Sequence, residues 1–126
     1  MNAEVTGDFN GDGKLDHAYL FKATDVSGEG LVVWISTPGG YHWAVIDKTD
    51  WGRKFPNVDL SMGIDALAPG DYRTACGKGY WECGPDEPET LRLKVPGILH
   101  FRFESAESVW YRDQAISSFR NVSLSD

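Results

Sequence analysis

The sequence predicts an all-β domain of roughly eight to ten short antiparallel strands, built as a sandwich, a barrel or propeller-like blades. Three observations carry that expectation. No window sustains the 3.6-residue apolar spacing of an amphipathic helix. Short runs rich in β-branched and aromatic residues recur along the chain, punctuated by Pro-Gly, Gly-Gly and polar clusters. The 126 residues, 41% hydrophobic and 13% aromatic, suffice for one packed core and a single domain, and argue against disorder.

In chain order, Glu4 to Phe9 reads as a first strand and residues 17–23 as a second, with a polar turn at 25–30. Leu31-Val32-Val33-Trp34-Ile35 is a continuous apolar run, the pattern of a strand buried on both faces. Thr37-Pro38-Gly39-Gly40 turns the chain into Tyr41–Ile46, so these two runs predict a hairpin at the centre of a sheet. Residues 47–60 read as a long polar loop. Met62–Ala68 is a strand stopped by Pro69-Gly70, and two prolines make 84–88 a loop. Leu91–Val95 alternates cleanly, Pro96-Gly97 is a tight-turn pair, and Ile98–Phe103 completes that hairpin. Ser105–Ser108 predicts a brief helical turn. Val109–Arg112 and Phe119–Leu124 form the last pair of strands.

One stretch carries chemistry. In Asp8-Phe9-Asn10-Gly11-Asp12-Gly13-Lys14-Leu15-Asp16, oxygen-bearing side chains stand at every second position and a fourth closes the run. A hard cation such as Ca²⁺ takes six to eight oxygens, which a curling loop supplies from alternate residues plus one backbone carbonyl. The expected ligands are the side chains of Asp8, Asn10, Asp12 and Asp16 and the carbonyl of Lys14. Without a cation, carboxylates this close repel one another. The spacing departs from an EF-hand, because Tyr19 stands where the closing Glu would fall and a strand follows instead of a helix.

Strand, DxNxDGxxD, strand resembles the calcium loops of FG-GAP repeats, found in integrin-type propellers and related bacterial domains. That resemblance implies a Ca²⁺ loop between two strands, with Asp8, Asn10, Asp12 and Asp16 as side-chain ligands. No second DxNxDG run occurs, so a full propeller of such repeats is not expected.

The formal net charge of −7 argues against nucleic acid, whose phosphates demand a basic face, and fits a basic partner. No apolar run approaches the ~20 residues of a membrane span. Met1-Asn2-Ala3-Glu4 has no charged and apolar leader, which is compatible with a domain from which a signal has been removed. Cys76 and Cys83 flank a six-residue segment with three nearby glycines at 77, 79 and 84, so a disulfide can close there. It would remove about 2.5 kcal/mol of loop entropy from the unfolded chain. Two free thiols are the alternative; zinc is disfavoured because no His pair completes a tetrahedral set. Calcium and a disulfide together point to a periplasmic or secreted protein.

No catalytic set stands out. His17, His42 and His100 all fall inside predicted strands, and no Gly-x-Ser-x-Gly elbow, His-Glu-x-x-His helix or phosphate-cradling loop occurs. Glu104 and Glu107 read as solvated carboxylates on a turn and not as a glycosidase pair. A non-enzymatic role is therefore expected. The cysteine ring offers a recognition surface, with Lys78, Tyr80 and Trp81 on a segment too small to bury both aromatics. The competing reading is that one aromatic folds back onto the domain and the other covers a sheet edge.

The series Pro69-Gly70-Asp71-Tyr72-Arg73-Thr74-Ala75-Cys76-Gly77-Lys78-Gly79-Tyr80, then Glu104-Ser105-Ala106 and Val109-Trp110-Tyr111, is similar to small bacterial envelope proteins. These pair one FG-GAP-type loop with an all-β domain. Some resemble periplasmic lysozyme inhibitors and act as immunity proteins against peptidoglycan hydrolases. The resemblance implies a protein partner, a basic peptidoglycan hydrolase, met by an inserted loop. An adhesion or carbohydrate-binding module of the cell envelope is the alternative, its stacking faces supplied by five tryptophans. An envelope hydrolase is disfavoured by the missing catalytic set.

Overall fold

A computed structural model of the chain describes residues 4–22, 28–50, 62–102, 107–113 and 118–125. Among the described residues ten strands form three antiparallel sheets. The first is a meander of β1 (Glu4–Gly7), β2 (Asp16–Lys22), β3 (Gly28–Thr37) and β4 (Gly40–Asp50), in that order. The second runs β10-β9-β8-β5, from β5 (Met62–Leu67), β8 (Gly97–Arg102), β9 (Glu107–Asp113) and β10 (Ser118–Ser123). A two-stranded ribbon pairs β6 (Gly70–Arg73) with β7 (Thr90–Leu93). The all-β expectation holds, and the open sheets stack as a sandwich with an added ribbon.

Period-two alternation assembles these layers. In the first sheet Val5, Ala18, Leu20, Leu31, Val33 and Ile35 point inward and meet Ile64 of β5 and Ile98 of β8. The opposite face of the second sheet packs Val109 and Val122 against Leu91 and Leu93 of the ribbon. β9 serves both cores, because Val109 and Tyr111 face the ribbon while Trp110 faces the first sheet. Leu31, Ile64 and Ile98 are fully buried. Each contributes about 1.5–3 kcal/mol relative to exposure.

Four local expectations are corrected. Leu91–Val95 and Ile98–Phe103 do not pair: β7 bonds to β6, and β8 lies between β5 and β9. The Pro96-Gly97 step instead carries the chain from the ribbon into the second sheet. Gly97 is squeezed at that crossing, since a Cβ there would lie 2.8 Å from Val109 Cγ2 and 3.1 Å from Leu93 Cδ1. Second, β3 is buried on one face only, with Trp34 40% exposed on the other. Its hairpin with β4 forms as expected, but β4 is at the end of the sheet order and not at the centre. Third, β4 runs on to Asp50, where a loop was expected, because residues 47–50 pair with 28–31 beyond a bulge. The rest of that expected loop, 51–60, lies outside the described residues. Fourth, Glu107 and Ser108 begin β9 in place of a helical turn. Residues 25–27 of the expected polar turn and 103–106, Glu104 included, lie outside the described residues.

Candidate functional site

The acidic loop joins β1 to β2, whose last pair is Gly7 with Asp16. Gly11 and Gly13 take φ of 77° and 83°, the left-handed region that lets the loop double back. Asp8 organises the turn: Oδ1 accepts the Gly11 and Asp12 amides at 2.9 and 3.1 Å, and Oδ2 accepts that of Gly13 at 2.8 Å. The Asn10 carboxamide donates to the Ser36 carbonyl at 3.1 Å, which ties the loop to β3. Asp12 Oδ1 accepts the Lys14 amide at 2.9 Å and its Oδ2 accepts the Ser36 hydroxyl at 2.6 Å. Those bonds, that from the Ser36 hydroxyl first, hold the Asp12 carboxyl below its usual 3.8.

Asp16 stands apart from the other expected ligands. It is 0% exposed, and its carboxylate is clamped by backbone. Oδ2 accepts the Phe9 and Asn10 amides at 2.8 and 3.3 Å, and Oδ1 accepts the Ser36 amide at 2.8 Å. The Ser36 hydroxyl also lies 2.9 Å from Oδ1. One O–H cannot serve two carboxylates, and the shorter contact is to Asp12. Asp16 thus knots the loop's first turn to β3.

The loop's donors are all oxygens, the type a hard cation takes. Among the described residues, however, no three His, Cys, Asp or Glu side chains converge closely enough to hold a metal. The loop fits Ca²⁺ in donor type alone, with the Asp8, Asn10 and Asp12 side chains bonded to loop amides and Asp16 buried.

Cys76 and Cys83 are joined by a disulfide, as the spacing predicted. The ring it closes is also braced from beneath. Buried Thr74 donates its hydroxyl to the Pro88 carbonyl at 2.6 Å and its amide to the Glu89 carbonyl at 3.1 Å. The Lys78, Gly79 and Tyr80 amides bond back to the Thr74, Cys76 and Ala75 carbonyls, winding one tight turn. Gly77 lies so close to residue 89 that a Cβ would stand 2.1 Å from the Glu89 carbonyl oxygen. The Ala75 amide bonds to the Ser123 carbonyl at 2.8 Å, fixing the ring's base to β10.

Upon this base Tyr80 is 56% and Trp81 38% exposed, so both expected contact aromatics reach the surface. The Trp81 indole N–H donates to the Glu87 carboxylate at 3.0 Å, which limits its swing. The Lys78 ammonium donates to the Leu124 carbonyl at 2.8 Å. Lys78 is exposed beside the two aromatics, with one of its ammonium donors taken by that carbonyl.

A further surface was not singled out from the sequence. On the outer face of the first sheet His17, Trp34 and Trp43 lie side by side across three strands, as do Tyr19, Val32 and Val45 in the next row. The Trp34 and Trp43 rings are 6.2 Å apart, and His17 lies within 6.2 Å of both Tyr19 and Tyr41. Tyr41 and Trp43 are 57% and 58% exposed. The signal was present: Trp34 and Trp43 are equidistant from the Pro38-Gly39 turn, so hairpin pairing places them together.

The histidines occupy strands as expected, in β2, β4 and β8. Buried His100 accepts the Trp110 indole N–H on Nδ1 at 3.2 Å, an arrangement of core packing. No helix is long and apolar enough to cross a membrane among the described residues. The chain matches no protein-family model, no curated protein and no solved structure.

Proposed function

We propose that the chain is a non-catalytic, calcium-stabilised binding protein of the bacterial envelope. It works in the periplasm or outside the cell as an inhibitor or immunity protein against a lysozyme-like peptidoglycan hydrolase. The observation that carries this reading is the disulfide-closed ring, which holds Tyr80 and Trp81 exposed on a braced turn. A stiff aromatic turn loses little entropy on docking, the property of a plug that enters a cleft. The disulfide suits an oxidising compartment. The net charge of −7 steers the protein toward a basic enzyme. Bound Ca²⁺ would neutralise the loop's carboxylates and fix the β1–β2 turn through the side chains of Asp8, Asn10, Asp12 and Asp16 and the Lys14 carbonyl. Lys78 keeps two further ammonium donors for the partner beside the one held by the Leu124 carbonyl, and Tyr80 and Trp81 are the principal anchors.

A second reading, an adhesion or carbohydrate-binding module, is favoured by the aromatic face around Trp34 and Trp43. Flat exposed rings in a row suit the apolar faces of sugars. One experiment separates the two, using Trp81→Ala and Trp43→Ala proteins of matched melting temperature. On the inhibitor reading, Trp81→Ala weakens inhibition of a purified muramidase about thirtyfold, the effect of losing a 2 kcal/mol anchor, and Trp43→Ala does not. Equal inhibition by the parent and a Tyr80/Trp81 double alanine variant removes the ring as the plug. Glycan binding lost only in Trp43→Ala selects the second reading.

A further inference from the structure

A cavity of about 360 Å³ opens where the acidic loop meets the end of β7 and β9. Arg92, Lys94 and Arg112 line it together with Leu93, Val95 and Tyr111, and among the described residues no carboxylate does. Three of the chain's 12 cationic Lys and Arg residues thus share one opening in a protein of net charge −7. Like charges gathered at one opening repel, which is unfavourable for the empty site and favours an anion within it.

Arg112 adds a more specific sign. Its Nε is buried and, among the described residues, has no hydrogen-bond acceptor. The guanidinium lies 5.8 Å from the Phe119 ring centroid, which holds its plane. The adjacent carboxylate, Asp113, is engaged by Arg120. A buried N–H without an acceptor is costly. Because this Nε is closed to solvent in the empty site, a ligand oxygen satisfies it by a small turn of the guanidinium toward the cavity that Arg112 lines. Burial pushes the Tyr111 hydroxyl up from its usual value, so it is a neutral hydrogen-bond donor near neutrality. Leu93 and Val95 give the wall an apolar part, and the volume suits a compact organic molecule.

We propose that this cavity binds a small organic oxyanion, a carboxylate or phosphate carried on a compact apolar body. Arg112 is the inner anchor, and Arg92 and Lys94 stand at the mouth. The guanidinium fork of an arginine matches either head group in two parallel bonds. Asn10 and Gly11 of the acidic loop complete the wall, and Gly11 is pressed there against Val95, where a Cβ would lie 3.1 Å from Cγ1. This site is separate from the cysteine ring and from the aromatic face, and stands whether or not the ring engages a hydrolase.

The test is amide-resolved NMR titration in calcium-containing buffer at fixed ionic strength, with benzoate and phenyl phosphate as probes and methyl benzoate as the neutral control. The expected result is saturable shifts confined to Gly11, residues 92–95 and residues 111–112, for either anion or both. Arg112→Gln should weaken binding about tenfold or more, the effect of one charge-assisted bond. The exposed pair Arg92→Gln and Lys94→Gln should weaken it about threefold each, an effect that shrinks as salt rises. Scattered or non-saturating shifts with both anions overturn the proposal, as does equal binding of methyl benzoate. Parent affinity in a folded Arg112→Gln protein does so too. Should that variant fail to fold, the Arg92/Lys94 double variant decides, and unchanged affinity there overturns the site.

Discussion

The acidic loop and the cysteine ring are both short, glycine-bearing turns, yet they are stiffened in different ways. The ring is closed by a covalent bond, so its polar bracing sits beneath it and its aromatics are left outside. The loop has no such bond between its ends. Its side chains fold inward onto its own amides, and one buried carboxylate, Asp16, ties it to β3. Charge spent on holding a backbone is not displayed to a partner. On the proposed function, the difference suits the ring to recognition and the loop to structure, the place where an ion would act on folding.

The largest expected effect follows from Asp16. Asp16→Ala strips acceptors from the buried Phe9 and Ser36 amides and leaves a void, so stability should fall by about 4 kcal/mol. Asp16→Asn keeps the shape and one acceptor oxygen and should fall by about half as much. Urea denaturation followed by tryptophan fluorescence measures both. A loss below about 1 kcal/mol in Asp16→Ala would mean that the loop is held by something other than this clamp.

The ring should be less demanding. Replacing Cys76 and Cys83 by serine together restores unfolded-chain entropy worth about 2.5 kcal/mol. The Thr74 bonds remain, so the domain should still fold, with faster hydrogen exchange confined to the 78–80 amides. Unchanged exchange at those amides would show that hydrogen bonds alone fix the ring, and would erase the contrast with the loop.

The ion is the next step down. On the proposed calcium reading, tenfold excess of Ca²⁺ over Kd raises stability by about 1.4 kcal/mol, and chelator removes it. Asp12→Ala should abolish most of that response, whereas the double serine variant should retain it. Coincident melting curves of the parent protein in chelator and in millimolar Ca²⁺ would end the metal reading and leave the loop a hydrogen-bonded turn.

How much of this was legible in the sequence depended on range. The strands were legible, because alternation is a local signal and the turn residues between them are explicit. Their partners were less so. Pro96-Gly97 looks the same whether it reverses a hairpin or passes from one layer to another, and only the packing of Gly97 under Val109 decides. Leu31–Ile35 read as buried on both faces because Trp34 is apolar, and an exposed aromatic face imitates a core in sequence. The β4 extension was hidden by its polarity, since Asp-Lys-Thr-Asp resembles a loop until it finds Gly28–Leu31 alongside. Cys76–Cys83 was legible from spacing alone. The position of Asp16 in the motif was legible too, but its bonds to residue 9 and to Ser36, twenty residues on, were not. Arg92, Lys94 and Arg112 meet only because the ribbon packs against β9.

The smallest effect tests the seam between loop and sheet. The Ser36 hydroxyl lies between Asp12 and Asp16 and has one proton to give. The assignment to Asp12, with the Lys14 amide assisting, keeps the Asp12 pKa below 3.8. A carboxylate depressed by folding contributes stability that is fully present above its unfolded value, 3.8 here, and is lost as pH falls through the lower folded value. In calcium-free protein, the Asp12 carboxyl carbon followed by NMR should therefore titrate below 3.8. Ser36→Ala should move that midpoint back toward 3.8 and start the acid loss of stability at higher pH. An unmoved Asp12 midpoint in Ser36→Ala would place the hydroxyl proton on Asp16 instead. The hydroxyl would then serve the buried clamp, and Asp12 would keep both oxygens for the loop's own amides or for an ion.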